Sequence, residues 1–277
     1  MHIRNMTEHD VPAGLRLNTI AGWNQTAADW NCFLQQGPRG CFVAEMDEKV
    51  VGTATTISYE NRFAWIGMVL VDPEFRKMGI GTKLLCKTIE YLDRIDIPTM
   101  KLDATPFGKP LYEKLGFVTE YEIERWILKR PPLSAPPQTT TTQLAEICEL
   151  DRELFGADRS FLLRSLSEQA PEFAISAHEE GFPLAYAFGR HGLFADHLGP
   201  WTAKSPTSAE ELLQSFLRHS TRETIIVDVM KSNSMVIELL TRHGFTPSRP
   251  LTRMFRGPNA HPGKPEDLCA ILGPEFG

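Results

Sequence analysis

What most narrows the folds open to this 277-residue chain is that its second half repeats the plan of its first. The segment GFVTEYEIERWI begins at Gly116 and GFTPSRPLTRMF at Gly244, and each carries an arginine nine positions after its glycine, Arg125 and Arg253. These two segments differ in register by 128. Upstream, FVAEMDEKVVGTA from Phe42 matches FAISAHEEGFPLA from Phe173, and Phe63 matches Phe194, both at a shift of 131. Three residues are therefore missing from the second half between Phe194 and Leu212-Leu213, the counterpart of Leu84-Leu85. Matches in one order at a nearly constant shift are the mark of duplication, so two lobes of one design are expected.

The joint between them is KRPPLSAPPQTTTTQ, where four prolines and four threonines interrupt every helical or strand period. Lobes at residues 1–130 and 144–277 with a Pro/Thr-rich linker at 131–143 follow. In the first, CFVAEMDEKVVGTATTISY and RFAWIGMVLVD are rich in Val, Ile, Thr and aromatics and predict an antiparallel meander turning at MDEK. VPAGLRLNTIAGW and AADWNCFLQQ have helical spacing, and Leu84, Leu85, Ile89 and Leu92 share one helix face. PTMKLDA predicts a short strand, PLYEKLGF a helix ended by Gly116, and VTEYEIERWILK a closing strand. The expected class is α/β with a mixed sheet: each lobe has a mostly antiparallel central sheet flanked by helices.

Composition excludes several alternatives. A 42% hydrophobic, 23% charged chain with no long apolar run describes a soluble globular protein without a membrane span. A net charge of −6 offers no basic stripe for nucleic acid. Five cysteines, odd in number and without a C-x-x-C pair, disfavour disulfides and a zinc site, and no histidine has metal-ligand spacing. With a start that lacks a signal peptide, a cytoplasmic protein is expected, and no metal. Any anionic ligand must be held by local geometry.

One stretch supplies that geometry. In VDPEFRKMGIGTKLL a strand ends at a G-x-G and feeds a helix, exposing backbone N–H groups at the positive end of the helix dipole. Gly79 and Gly81 let the main chain approach phosphate oxygens, Arg76 and Lys77 add charge, and Thr82 adds a hydroxyl. There is no Gly-Lys-Ser/Thr ending as in a Walker A loop, and no third glycine with a downstream acid as in a dinucleotide fingerprint.

The stretch resembles the acyl-CoA-binding motif of the GNAT superfamily of acetyl-CoA-dependent N-acyltransferases, whose core pattern is Arg/Gln-x-x-Gly-x-Gly/Ala. Arg76, Gly79 and Gly81 match it, with the lead-in Val71, Pro73 and Phe75, and LYEKLGF from Leu111 resembles the family's second signature. The resemblance covers residues 1–130 and makes the second half a degenerate GNAT lobe, with GPWTAKSPTSAEELL in place of the loop. It implies that the pyrophosphate of acetyl-CoA sits on Arg76, Lys77, Met78, Gly79, Ile80, Gly81 and Thr82. It also implies that pantetheine enters a gap between splayed strands, along main-chain groups of Val69, Leu70 and Val71. Tyr112 matches the family's general acid, while Leu240 stands at its counterpart.

Many family members carry a base glutamate on the strand before the loop, but FAWIGMVLV has no carboxylate. Asp103, on the face of its strand opposite Leu102, is the substitute for binding or deprotonating the acceptor amine, with a structural hydrogen bond as the equal alternative. The implied reaction is acetyl transfer to a primary amine of a small molecule or amino acid by direct attack in a ternary complex; the alternative is a non-catalytic acyl-CoA sensor. Trp23, Trp30 and Trp65 are candidates to line an acceptor pocket or, more commonly, to fill core. Nucleic acid and membrane are not expected partners, and oligomeric state stays open.

Overall fold

The computed structural model describes residues 1–133, 144–179 and 182–277. Of the expected linker, residues 131–133 have no regular structure and the remainder lies outside the described residues.

In chain order the first half forms β1 (His2–Asn5), α1 (Val11–Ile20), α2 (Ala27–Gln36), β2 (Phe42–Met46), β3 (Lys49–Tyr59), β4 (Phe63–Val71), α3 (Ile80–Arg94), β5 (Met100–Ala104), α4 (Lys109–Lys114) and β6 (Val118–Lys129). The second half follows the same plan from its first helix onward. It comprises α5 (Leu144–Phe155), α6 (Ser160–Gln169), β7 (Ile175–Glu179), β8 (Phe182–His191), β9 (Asp196–Thr202), α7 (Pro206–His219), β10 (Thr224–Met230), α8 (Ser234–Arg242) and β11 (Thr246–Arg256), and ends in a short β12 (Leu268–Ala270).

Local chemistry sets several boundaries. Thr26 starts α2 through a capping box: its amide and hydroxyl both reach Asp29 Oδ2, at 2.7 and 3.0 Å. The β2–β3 hairpin turns through Asp47 and Glu48, both at positive φ, as the right-handed twist of the strands requires. Leu84, Leu85, Ile89 and Leu92 form the buried face of α3, as their spacing predicts.

The two lobes and the mixed sheet agree with expectation; their connection was not visible in the sequence. All twelve strands among the described residues join one sheet, in the order β1-β2-β3-β4-β5-β11-β6-β10-β9-β8-β7, with β12 added to β9. Each half has therefore given its closing strand to the other: β11 completes the first lobe beside β5, and β6 completes the second beside β10. The exchanged strands pair with one another antiparallel, so neither lobe ends in an open edge at the junction. Connectivity changes near residues 130–144, whereas the sheet runs across that boundary.

The exchange explains the repeated arginines. Arg253 lies opposite Asp103 in the β11–β5 register and forms a bidentate pair with it, Nε–Oδ1 2.9 Å and Nη2–Oδ2 2.8 Å. Arg125 lies opposite Asp228 in the β6–β10 register and repeats the arrangement at 2.7 and 2.6 Å. Each pair is buried and joins the two halves of the chain. One large apolar cluster takes residues from both lobes, with Phe33 stacked on Phe276 at 4.7 Å between centroids and Tyr59 edge-on to Phe155 at 4.9 Å.

Two places in the sheet are parallel and come apart. β4 and β5 pair only at Ala64/Met100 and Trp65/Lys101 and then separate. β9 and β10 pair from Asp196/Ile225 to Leu198/Val227 and then separate. In the second lobe β12 enters the opening, pairing with β9 at Trp201 and Thr202, while the Ile271 amide donates to the Asp228 carbonyl at 3.0 Å.

Candidate active site

The opening between β4 and β5 leads into a cleft of about 610 Å³. Its first wall is the glycine loop. β4 carries a bulge at Met68, held at φ +50° while Thr53 Oγ1 donates to the Met68 carbonyl at 2.7 Å. Such bulges bend a strand and turn its later residues away from a neighbour. After Val71 a turn at Pro73–Phe75 leads to Gly79, which caps α3 at φ +76°, a conformation that favours glycine. No side chain caps this helix, and the amides of residues 77–82 have no hydrogen-bond acceptor among the described residues. The first α3 bond, from Lys83 to the Gly79 carbonyl at 3.0 Å, begins only after them. Six successive free donors at the positive end of a 15-residue helix form an anion cradle.

Gly81 sharpens the point. Its φ is ordinary, and a Cβ there would meet only Val71 Cγ2 at 3.5 Å, a normal contact. Nothing in the protein requires glycine at this position; what its absent side chain leaves open is the approach of a ligand. Arg76 meanwhile folds back to donate from Nε to the Val71 carbonyl at 3.2 Å.

Tyr112 on α4 faces the same cleft. Its ring packs against Phe117, and a Cβ on Gly108 would come within 2.9 Å of it. Burial pushes the phenol up to about 12, so it stays protonated near neutral pH.

The third wall comes largely from the second lobe. Asp103 reaches the cleft, but both of its oxygens are held by Arg253, whose guanidinium also donates to Tyr121 Oη at 2.6 Å and stacks 4.4 Å above Trp65. Beside it lie Arg249 and Leu251 of β11, and Pro274 and Glu275 of the segment after β12. That segment is firmly anchored: Trp65 Nε1 donates to the Pro274 carbonyl at 3.0 Å, Tyr59 Oη to that of Phe276 at 2.8 Å, and Arg159 Nη1 to that of Gly277 at 2.8 Å. Glu275 Oε1 accepts from Arg190, which also pairs with Asp29 at 2.8 Å. Against burial, which pushes it up, Arg190 and His197 hold Glu275 below the usual carboxylate range. A Cβ on Gly67 of β4 would stand 2.7 Å from the Glu275 carbonyl oxygen. The main chain of Glu275 is thus laid directly against the strand that lacks a carboxylate.

Trp23 and Gln25, from the α1–α2 connection, complete the rim. Trp30 and Trp65 are fully buried in the core, Trp30 donating to Asn18 Oδ1 at 3.0 Å. His191 sits between Asp196 and Glu172, at 2.7 and 2.8 Å, outside this cleft. The five cysteines are free thiols. No helix among the described residues is long and apolar enough to cross a membrane.

Glu275, Arg249 and Gln25 were not singled out in the sequence. Only Glu275 left a trace there, as the one charged residue in the otherwise apolar LCAILGPEFG.

Comparison with known proteins places this arrangement. A family model described as "Acetyltransferase (GNAT) family" matches residues 12–117, and a second, "Acetyltransferase (GNAT) domain", matches residues 147–270. The chain is 22% identical to holothin acyltransferase of Pseudoalteromonas sp. over 92% of its own length and 87% of that protein's. It is 25% identical to the uncharacterized N-acetyltransferase YitH of Bacillus subtilis, covering 86% and 85%. Among solved structures, a putative acetyltransferase from Pyrococcus horikoshii superposes with a TM-score of 0.80 over 100% of this chain and 95% of that one, at 23% identity. A tandem GNAT protein from the clavulanic acid biosynthesis pathway gives 0.62 over 92% and 98%, at 14% identity. The fold and the matched domains define an acetyltransferase. The chain belongs to the GNAT superfamily and carries two of its domains in tandem.

Proposed function

We propose that this chain is an acetyl-CoA-dependent N-acetyltransferase whose first lobe holds the cofactor and whose acceptor is a primary amine of a small molecule or amino acid. The observation that carries this reading is the run of six amides at the start of α3 that are unpaired among the described residues, opening onto the cleft that also receives Tyr112. Gly79, Ile80, Gly81 and Thr82, with Lys77, Met78 and Arg76, would hold the pyrophosphate. Main-chain groups of Leu70 and Val71, on the edge of β4 that β5 has left, would orient the arm that follows. Bound there, acetyl-CoA supplies an activated acetyl group: a C–N bond replaces the C–S bond, CoA leaves as the thiol, and the ammonium's remaining proton passes to solvent.

The residues support direct attack in a ternary complex. Tyr112 stays protonated and can donate to the sulfur as negative charge develops on it. With its phenol at about 12 and a thiol near 8.5, complete transfer to a free thiolate would be uphill by roughly three powers of ten. Tyr112 therefore acts by hydrogen bonding in the transition state and passes on a proton drawn from elsewhere. Asp103, locked to Arg253 in a charge-neutral pair, fixes the floor of the cleft.

The test is calorimetric titration of the intact protein with acetyl-CoA beside Gly81→Asp, followed by CoA release with a panel of amines. Saturable binding that disappears in the folded variant is expected; equal affinity in both would remove the assignment to the loop. Binding without CoA release for any amine would favour an acyl-CoA sensor.

A further inference from the structure

Three of the buried side-chain polar atoms that find no partner among the described residues belong to residues that line this one cleft: Gln25 Oε1, Arg249 Nε and Glu275 Oε2. Unpaired buried polar groups are rare and costly, and three in one place mark groups whose partner arrives with a ligand. Their chemistry is sorted by sign. Glu275 and Gln25, 3% and 5% exposed, carry the two acceptor oxygens.

Arg249 supplies the opposite character. Its side chain forms no ion pair or hydrogen bond with any described residue, whereas Arg125, Arg190 and Arg253 each hold a carboxylate. Its register partner on β6 is Arg125, already committed to Asp228. Like charges opposite one another on a sheet are destabilising, so the fold keeps this guanidinium in place at a cost. Burial, with Arg125 adding to it, pushes Arg249 down to about 10, which an arriving anion would reverse.

Resting on the assignment of this cleft to acetyl transfer, we infer that the acceptor is an amino acid bound as its zwitterion. Arg249 receives its carboxylate, and Glu275 Oε2 with the Gln25 amide oxygen receives its ammonium. A zwitterion adds no net charge to the cleft while satisfying a free donor and two free acceptors. A simple amine would leave the Arg249 side chain without a partner; a simple acid would leave Glu275 Oε2 and Gln25 Oε1 without one. Both charged groups come from the second lobe, Arg249 on the exchanged strand and Glu275 on the segment after β12. The degenerate lobe thereby supplies the specificity of the active one.

Thiol release measured with a panel of small amino acids, each matched with its carboxamide, tests this. The carboxamide's ammonium is the more acidic, so intrinsic reactivity favours the carboxamide and any preference for the acid comes from the protein. At least one acid is expected to exceed its carboxamide in kcat/KM by tenfold or more. Arg249→Gln should erase that ratio by raising KM for the acid roughly 10–100-fold. Acetyl-CoA affinity should stay within twofold, and Arg249→Lys should restore part of the preference. Because the Arg249 side chain has no partner among the described residues, its replacement spares the fold; Glu275→Gln, the second variant, should slow acid and carboxamide alike. Equal rates within every pair, turnover confined to amines without a carboxylate, no acid turned over by protein that binds acetyl-CoA, or a ratio that survives Arg249→Gln would each overturn the proposal. Failure to bind acetyl-CoA at all would overturn the cofactor assignment first and this proposal with it.

Discussion

The two lobes solve the start of the helix after the parallel strand in opposite ways. In the first, residues 72–79 lead to α3, which begins at a glycine with no capping side chain and leaves the amides of residues 77–82 unpaired. In the second, residues 203–205 lead to α7, where Ser205 Oγ accepts from the Ser208 amide at 3.1 Å and Pro206 removes a donor outright. The opening beside each helix differs in the same sense, since β12 enters the β9–β10 gap while the β4–β5 gap leads to the cleft. A duplicated lobe becomes structural when its own chain satisfies the groups that its twin keeps free.

That contrast can be broken at its strongest point by placing the same charge at the second position of each helix. Gly81→Asp should weaken acetyl-CoA binding at least about a thousandfold, through repulsion and the filled approach, while Thr207→Asp should leave it unchanged. Calorimetry on both variants decides; equal losses would mean that the lobes do not differ as described.

The ion pairs come next. Asp228→Ala strands Arg125 beside Arg249 and should cost about 3–5 kcal/mol in urea unfolding. Against burial, Arg125 and His197 hold Asp228 below the usual carboxylate range, so its stabilisation is complete above the unfolded value near pH 3.9 and is lost as pH falls below it. Asp228→Asn should flatten that acid limb.

Tyr112→Phe should lower kcat about a hundredfold and leave acetyl-CoA affinity within twofold, because the phenol is asked only to donate as the C–S bond breaks. Unchanged turnover would return Tyr112 to the status of its counterpart Leu240, a core side chain. The smallest effect belongs to Ser205→Ala, about 1 kcal/mol from the lost cap, with acetyl-CoA still binding one per chain. A second equivalent would show that capping, more than β12, keeps the second lobe closed.

Much of this was legible in the order of the residues. The duplication, the helix faces and the glycine loop are local or periodic features, and Gly79 adopts the positive φ that the G-x-G pattern suggested. Asp103 was legible as a cleft-facing carboxylate but not as the partner of Arg253, which lies far along the chain and meets it only because β11 enters the first lobe. The missing carboxylate on β4 was visible as well; the Glu275 main chain laid against Gly67 of that strand was not.

By itself the sequence determined two lobes of one plan, the strands and helices of each, and which of the two keeps an anion cradle, because hydrophobic period, capping chemistry and glycine positions act within a few residues. Only the tertiary structure decided which closing strand completes which sheet. Backbone hydrogen bonding satisfies either choice equally. Side chains far apart in the chain set the outcome: Arg125 with Asp228, Arg253 with Asp103, and a core that draws Phe276 onto Phe33 and brings Glu275 and Arg249 into the other lobe's cleft.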